Sequence, residues 1–150
     1  MQFAIQQINL IVSRHGAVLL ALLLFVAGVS LYSADLGNIL FFDDTHFIVN
    51  NDTIREFSLD NARVWFTENA LAGGGRTSDY YRPLLLASFA FNYSVHGLEP
   101  FGYFLTNNVL HALTAVAVFW LLLTLLRREW LSFFVALIFL VHPMQSENVA

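Results

Sequence analysis

Residues 17–32 read AVLLALLLFVAGVSLY, inside a run of twenty residues without formal charge between Arg14 and Asp35. Ten of the residues from Ala17 to Leu31 are Leu, Val or Phe. A hydrocarbon core of about 30 Å takes roughly 20 helical residues to cross. At roughly −0.3 to −0.6 kcal/mol for each such residue, insertion gains about 3 to 6 kcal/mol. A cleaved signal peptide is the competing reading. Its apolar region is usually shorter, and Ser30-Leu31-Tyr32 offers no small-x-small cleavage site directly after the run. The stretch therefore predicts a retained transmembrane helix over 17–34.

The composition agrees. Of 150 residues, 57% are apolar and only 12% charged, about half the charged share of soluble domains. Fifteen Phe, three Trp and five Tyr exclude a disordered chain. A net charge of −4 gives no basic footprint for nucleic acid. The absence of cysteine excludes a disulfide framework, a thiolate metal site and a Cys nucleophile.

Two further apolar stretches follow. One lies between Glu99 and Arg127 and predicts a second span over 104–126. The other starts at Trp130 and predicts a third over 130–146, although it is apolar only to Val141. A helix from Trp130 to Ser146 rises roughly 25 Å, slightly short of the core, so its polar end is expected to face protein or a water-filled cavity. All seven basic residues are arginines. Arg14 in the tail 1–16 and Arg127-Arg128 in the turn 127–129 mark the cytoplasmic side. Residues 35–99 then form an outer loop with nine acids against four arginines, and 147–150 begin a second one. The expectation is an all-α membrane protein with three transmembrane helices and a large, partly helical loop after the first.

Within that loop, Thr53-Ile-Arg-Glu56 has capping-box spacing. Ser58 can cap a short helix carrying Leu59, Ala62, Trp65 and Phe66. Gly73-Gly74-Gly75 breaks the chain, and Pro83 suits a first helical position. The run from Leu84 to Val95 is too short to span, so it is expected in the interface or docked on the bundle, with Tyr80, Tyr81, Tyr93 and Tyr103 suited to an aromatic belt.

The sequence has no GxSxG, Walker A, HExxH or GxGxxG pattern. Two features remain. Asp43-Asp44 lies nine to ten residues past the first span, close enough to fold back to the membrane surface. In an extended segment the two carboxylates would point to opposite sides and could not share one task. Asn107, Asn108 and His111 share a helix face and, with His142 and Glu147, could line an outward polar cavity. Each has a plainer reading: solvated turn chemistry for the acids, interhelical hydrogen bonding for Asn107, Asn108 and His111, a helix stop at His142-Pro143, and an interfacial anchor for Arg82.

Taken in order, Asp43-Asp44, Asn50-Asn51, Tyr81-Arg82-Pro83-Leu84, Asn107 or Asn108 with His111, and His142-Pro143 with Glu147-Asn148-Val149 resemble the motifs of C-type glycosyltransferases. The likeness is to the membrane part of the transmembrane-and-tetratricopeptide-repeat O-mannosyltransferases and their bacterial relatives, over residues 17 to 150. It implies an N-terminal fragment of a larger helical bundle, whose activity is expected to need the rest of that bundle. It also implies transfer of a sugar from a polyprenyl-phosphate donor to an acceptor hydroxyl on a protein or glycan, on the outer or lumenal face. Asp43 or Asp44 would then be the catalytic base. From chemistry alone, Arg82 suits the donor phosphate, with His111, His142 and Glu147 lining the cavity. Some members use a divalent metal and others do not; Asp43, Asp44 and Glu147 could hold one. The absence of lysine and cysteine favours a bacterial inner membrane over endoplasmic reticulum. The competing class is a small non-catalytic scaffold or partner subunit that docks through its outer loop.

The charge placement yields a direct test. In sealed cells, an impermeant thiol reagent should label Ser78→Cys and spare Arg128→Cys; the reverse pattern overturns the orientation.

Overall fold

The computed structural model describes residues 2–145, with side chains from residue 15 onward apart from residue 35. The regular elements among the described residues are all helical: α1 (Gln2–Leu31), α2 (Leu59–Thr67), α3 (Pro83–His96), α4 (Pro100–Leu126) and α5 (Glu129–Val141), joined by short 3-10 turns and one π-helical turn, Thr45–Val49. They form two compact units. One is built from Met1–Asp35 and Asn107–Ala150, the other from Leu36–Thr106.

In the first unit, small side chains let the helices approach closely. Ala17, Ala21 and Leu24 of α1, Ala115 and Phe119 of α4, and Phe133, Ala136 and Leu140 of α5 make one buried cluster. Gly28 extends the α1 stripe. A Cβ there would lie 2.9 Å from both Ala112 Cβ and Leu140 Cδ1, and 3.2 Å from Ala112 Cα. Small residues at helix crossings are the usual device where lipid leaves no hydrophobic drive between helices. The outward faces carry Leu19, Leu22, Val26, Leu121, Leu125 and Ile138, all exposed.

Of the described helices, α4 alone is long and apolar enough to cross a membrane. The described apolar part of α1, His15–Leu31, and α5 are both shorter. Helix α5 stops at Val141, five residues before the expected end of the third span, because His142 adopts φ −68° and ψ 129° ahead of Pro143. A residue before proline resists the helical region. Arg127, at φ +53°, closes α4 with its N–H on Leu123 O at 2.9 Å, and α5 begins two residues later.

The second unit packs α2, α3 and the first turn of α4 around Ile48, Ile54, Trp65, Leu86, Phe89, Ala90 and Tyr103. Ser58 caps α2 as expected, accepting from Asn61 N at 3.2 Å. Pro83 opens α3. One expectation is corrected. The capping box at Thr53 is not formed. Asn51 instead caps a 3-10 turn, Asp52–Ile54, and takes the Thr53 N–H and hydroxyl on its Oδ1 at 3.1 and 2.7 Å. The Thr53 hydroxyl in turn receives Trp65 Nε1 at 3.2 Å. On α2 only Ala62 and Trp65 face the core, while Leu59 and Phe66 are exposed. The four tyrosines share no common environment: Tyr80 and Tyr81 are exposed, Tyr93 is half-buried and Tyr103 is buried.

The close crossing at Gly28 predicts that Gly28→Val separates the helices and costs about 1–3 kcal/mol, as overpacking does. Gly37, with nothing within 4 Å of its missing Cβ, is the control. Denaturation in mixed micelles should show a lowered midpoint for Gly28→Val and none for Gly37→Ala.

Candidate active site

The Asp43-Asp44 pair is set by a sharp reversal at Phe42, which takes φ +50°. The two acids begin a helical turn that runs into Thr45–Val49, with Asp44 at φ −59° and ψ −31°. The expected extended segment is therefore wrong here. Neighbours on a helical turn still diverge, by about 100°, and their roles differ. Asp44 Oδ2 accepts the Phe41 N–H at 3.1 Å and holds the reversal. Asp43 is exposed and makes no hydrogen bond or ion pair among the described residues.

Beside this turn lies a pair that no sequence pattern indicated. Arg76 Nη1 and His46 Nε2 are 3.0 Å apart. A guanidinium can only donate, so the imidazole accepts at Nε2. The glycine run allows the contact: a Cβ on Gly74 would meet Asn50 O at 3.0 Å, and one on Gly73 would overlap Asn51 Oδ1. Asn51 is wholly buried, and its Nδ2 has no partner.

Two further arginines lie against tyrosine rings. Arg82, immediately before Pro83, is exposed and lies 4.8 Å over the Tyr80 ring. Neither Asp43 nor Asp44 pairs with it among the described residues, so its fork is open to an anion. Arg55 is half-buried, 4.6 Å over the Tyr93 ring, with Nη2 donating to Val49 O and Nη1 buried without a partner. Sequence reasoning passed over Arg55 because one arginine inside a loop has no distinguishing neighbour spacing.

In the other unit, His111 and Asn108 bind helix ends. His111 is 8% exposed, with Nε2 3.1 Å from Leu140 O and its ring edge-on to Tyr32 at 5.3 Å. Tyr32 OH donates to the same carbonyl at 3.4 Å. Asn108 Nδ2 donates to Val29 O at 3.1 Å, while its Oδ1 is buried and unpaired. Asn107 is half-buried. Two clefts in this unit, of about 590 and 310 Å³, are lined by Val18, Leu19, Leu22, Trp120 and their neighbours rather than by Asn108 or His111. His142 is exposed, with Nδ1 accepting Met144 N at 3.2 Å. Glu147 lies outside the described residues. Among those described, no three His, Asp or Glu side chains gather as metal ligands, so Asp43 and Asp44 have no described third donor.

Asp44 thus acts on the loop and Asp43 faces outward. Asp44→Ala should speed amide exchange at Phe41 roughly fivefold, for a hydrogen bond worth about 1 kcal/mol, whereas Asp43→Ala should leave it unchanged. Hydrogen exchange followed by mass spectrometry reads both.

Comparison with known proteins relates the sequence to larger chains. The sequence is 32% identical over 133 residues to the protein O-mannosyl-transferase TMTC1 of Mus musculus, covering 87% of this chain and 14% of that protein. It is 33% identical over 135 residues to TMTC1 of Homo sapiens, covering 87% and 15%. With the protein O-mannosyl-transferase Tmtc2 of Drosophila melanogaster the identity is 31% over 128 residues, covering 80% and 13%. The chain therefore spans about one seventh of the length of these relatives. No family model matches it, and no solved structure does.

Proposed function

This chain is related in sequence to the TMTC protein O-mannosyl-transferases, and from that premise we propose that it is part of a membrane glycosyltransferase. In this reading α1, α4 and α5 span the bilayer with the N-terminus and Arg127-Arg128 inside, and residues 35–99 stand on the outer or lumenal face. The donor is a sugar on a polyprenyl phosphate, and the acceptor is a hydroxyl of a protein.

The observation that carries the proposal is the division of labour between the paired acids: Asp44 bonded to Phe41 N, Asp43 exposed and unbonded. A sugar on a lipid phosphate already has a good leaving group. The protein must take the acceptor's proton, align the hydroxyl oxygen with the anomeric carbon, and meet the charge on the departing phosphate. Asp43 accepts the proton as the oxygen–carbon bond forms. The carbon–oxygen bond to phosphate breaks with its electron pair going to the phosphate. Arg82 suits that oxyanion because its planar fork donates two parallel hydrogen bonds and stays charged; its placement on the Tyr80 ring restricts its motion. His111 supports the reading indirectly. By bonding Leu140 O it holds the end of α5, from which His142 and the segment toward Glu147 depart.

The test is mannosyl transfer by the gene product that carries this segment. Asp43→Asn should lower transfer by at least about a hundredfold, the lower range for loss of a general base, while donor binding and protein abundance stay near normal. Wild-type rates for both Asp43→Asn and Asp44→Asn would sink the assignment. Arg82→Lys should weaken donor use although charge is kept, because bidentate geometry is lost. Equal donor affinity for both side chains returns Arg82 to an interfacial anchor.

A further inference from the structure

The segment between α1 and the acidic pair presents its apolar side chains outward. Ile39, Phe41 and Phe42 are 73%, 72% and 76% exposed, whereas Leu40 between them packs against the core cluster of its unit. One exposed apolar residue is ordinary. Three in four positions, with the fourth pinning the backbone, form a short hydrophobic tip. Phe42 reaches it through φ +50°, a conformation that bulky residues rarely adopt and that persists only where the surroundings hold it. Two backbone hydrogen bonds hold the reversal, Asp44 N on Phe41 O at 3.1 Å and Thr45 N on Phe42 O at 3.3 Å, and the two Phe ring centroids are 6.3 Å apart. Asp44 fixes the reversal through Phe41 N.

We propose that Ile39, Phe41 and Phe42 form a membrane-interface anchor that seats in the headgroup–acyl boundary of a bilayer and holds Asp43 at that depth. The proposal rests on the reading of α1 as a span. Ile39 is eight residues beyond Leu31 and so can lie at most about 28 Å from the end of that helix, with part of the connection wound into the 3-10 turn Ser33–Gly37. Residues 39–42 carry no charge and are followed by two acids in a loop with nine acids against four arginines. Seating is therefore apolar and owes nothing to anionic headgroups, unlike a polybasic lipid anchor. A second copy is a poorer occupant, because a two-fold contact through this tip would set two Asp43-Asp44 pairs against each other. A lipid surface accepts the rings while the carboxylates remain among water and headgroups.

The chain has no cysteine, so single nitrobenzoxadiazole labels can be placed at Phe41→Cys, Phe42→Cys, Leu22→Cys on the exposed face of α1, and Thr77→Cys in an exposed loop. The full chain is reconstituted in phosphatidylcholine vesicles brominated either near the headgroup or near the chain ends. Labels at 41 and 42 should be quenched several-fold more by the shallow bromines than the label at 77, with no change when phosphatidylglycerol is added. The label at 22 should respond to the deep bromines. Emission at 41 and 42 that matches 77 would overturn the anchor, and so would blue-shifted emission untouched by either lipid, which means burial against protein. Should the label at 42 disturb the reversal, the one at 41, where φ is not positive, decides alone. Quenching at 22 without quenching at 41 ends this proposal and leaves the span; absence of quenching at 22 ends the span reading and with it the proposal that rests on it. No readout depends on catalysis.

Discussion

Helix ends in this chain are closed by side chains that donate to backbone carbonyls. Tyr32 and His111 both reach Leu140 O, Asn108 reaches Val29 O, Tyr81 reaches Phe66 O at 3.0 Å, Tyr103 reaches Gly97 O at 2.8 Å, and Arg55 reaches Val49 O. The last carbonyls of a helix have no partner within it. Leaving one unpaired away from water costs free energy comparable to a lost hydrogen bond. A chain with 12% charged residues has few other polar groups to spend on this. Several of its Tyr, Asn, His and Arg side chains are accordingly committed to the backbone, and what remains uncommitted is the material available for chemistry.

That ordering separates the candidate residues. His111 and Asn108 have the right chemistry for a polar cavity, but each already donates to a helix-end carbonyl. Asp44 is likewise occupied with its own loop, and Arg55 with a carbonyl and a ring. Asp43 and Arg82 are exposed, and no carboxylate–guanidinium pair ties either one down among the described residues. A base and an anion-binding fork must both be open to a substrate, and Asp43 and Arg82 meet that condition.

Much of this was legible in the residues. The apolar segments, the tight Arg127-Arg128 turn, the Ser58 cap and Pro83 at the head of α3 each depend on local chemistry, and each is found. The likeness to the O-mannosyltransferases rested on five short motifs in order and holds over most of the chain. Other expectations failed where a neighbour distant in sequence competed with a local rule. Thr53 did not start a helix, because Asn51 captured its N–H and hydroxyl and Trp65 captured its oxygen. The acidic pair is not extended, because Asp44 can reach back to Phe41 N once Phe42 turns over. The His46–Arg76 contact joins positions thirty residues apart, and no spacing rule covers that separation.

By itself the sequence determined that this chain is helical, where its apolar segments lie, and which acidic, basic and cationic side chains are present. Those follow from side-chain transfer energies and backbone sterics, which act over a few residues. Tertiary structure alone decided which polar groups are spent: that His111 closes α5, that Asp44 braces the loop while Asp43 is left open, and that Phe41 and Phe42 point outward while Leu40 points in. A hydrogen-bond donor is used up only by an acceptor within about 3 Å of it, and folding brings that acceptor there from elsewhere in the chain.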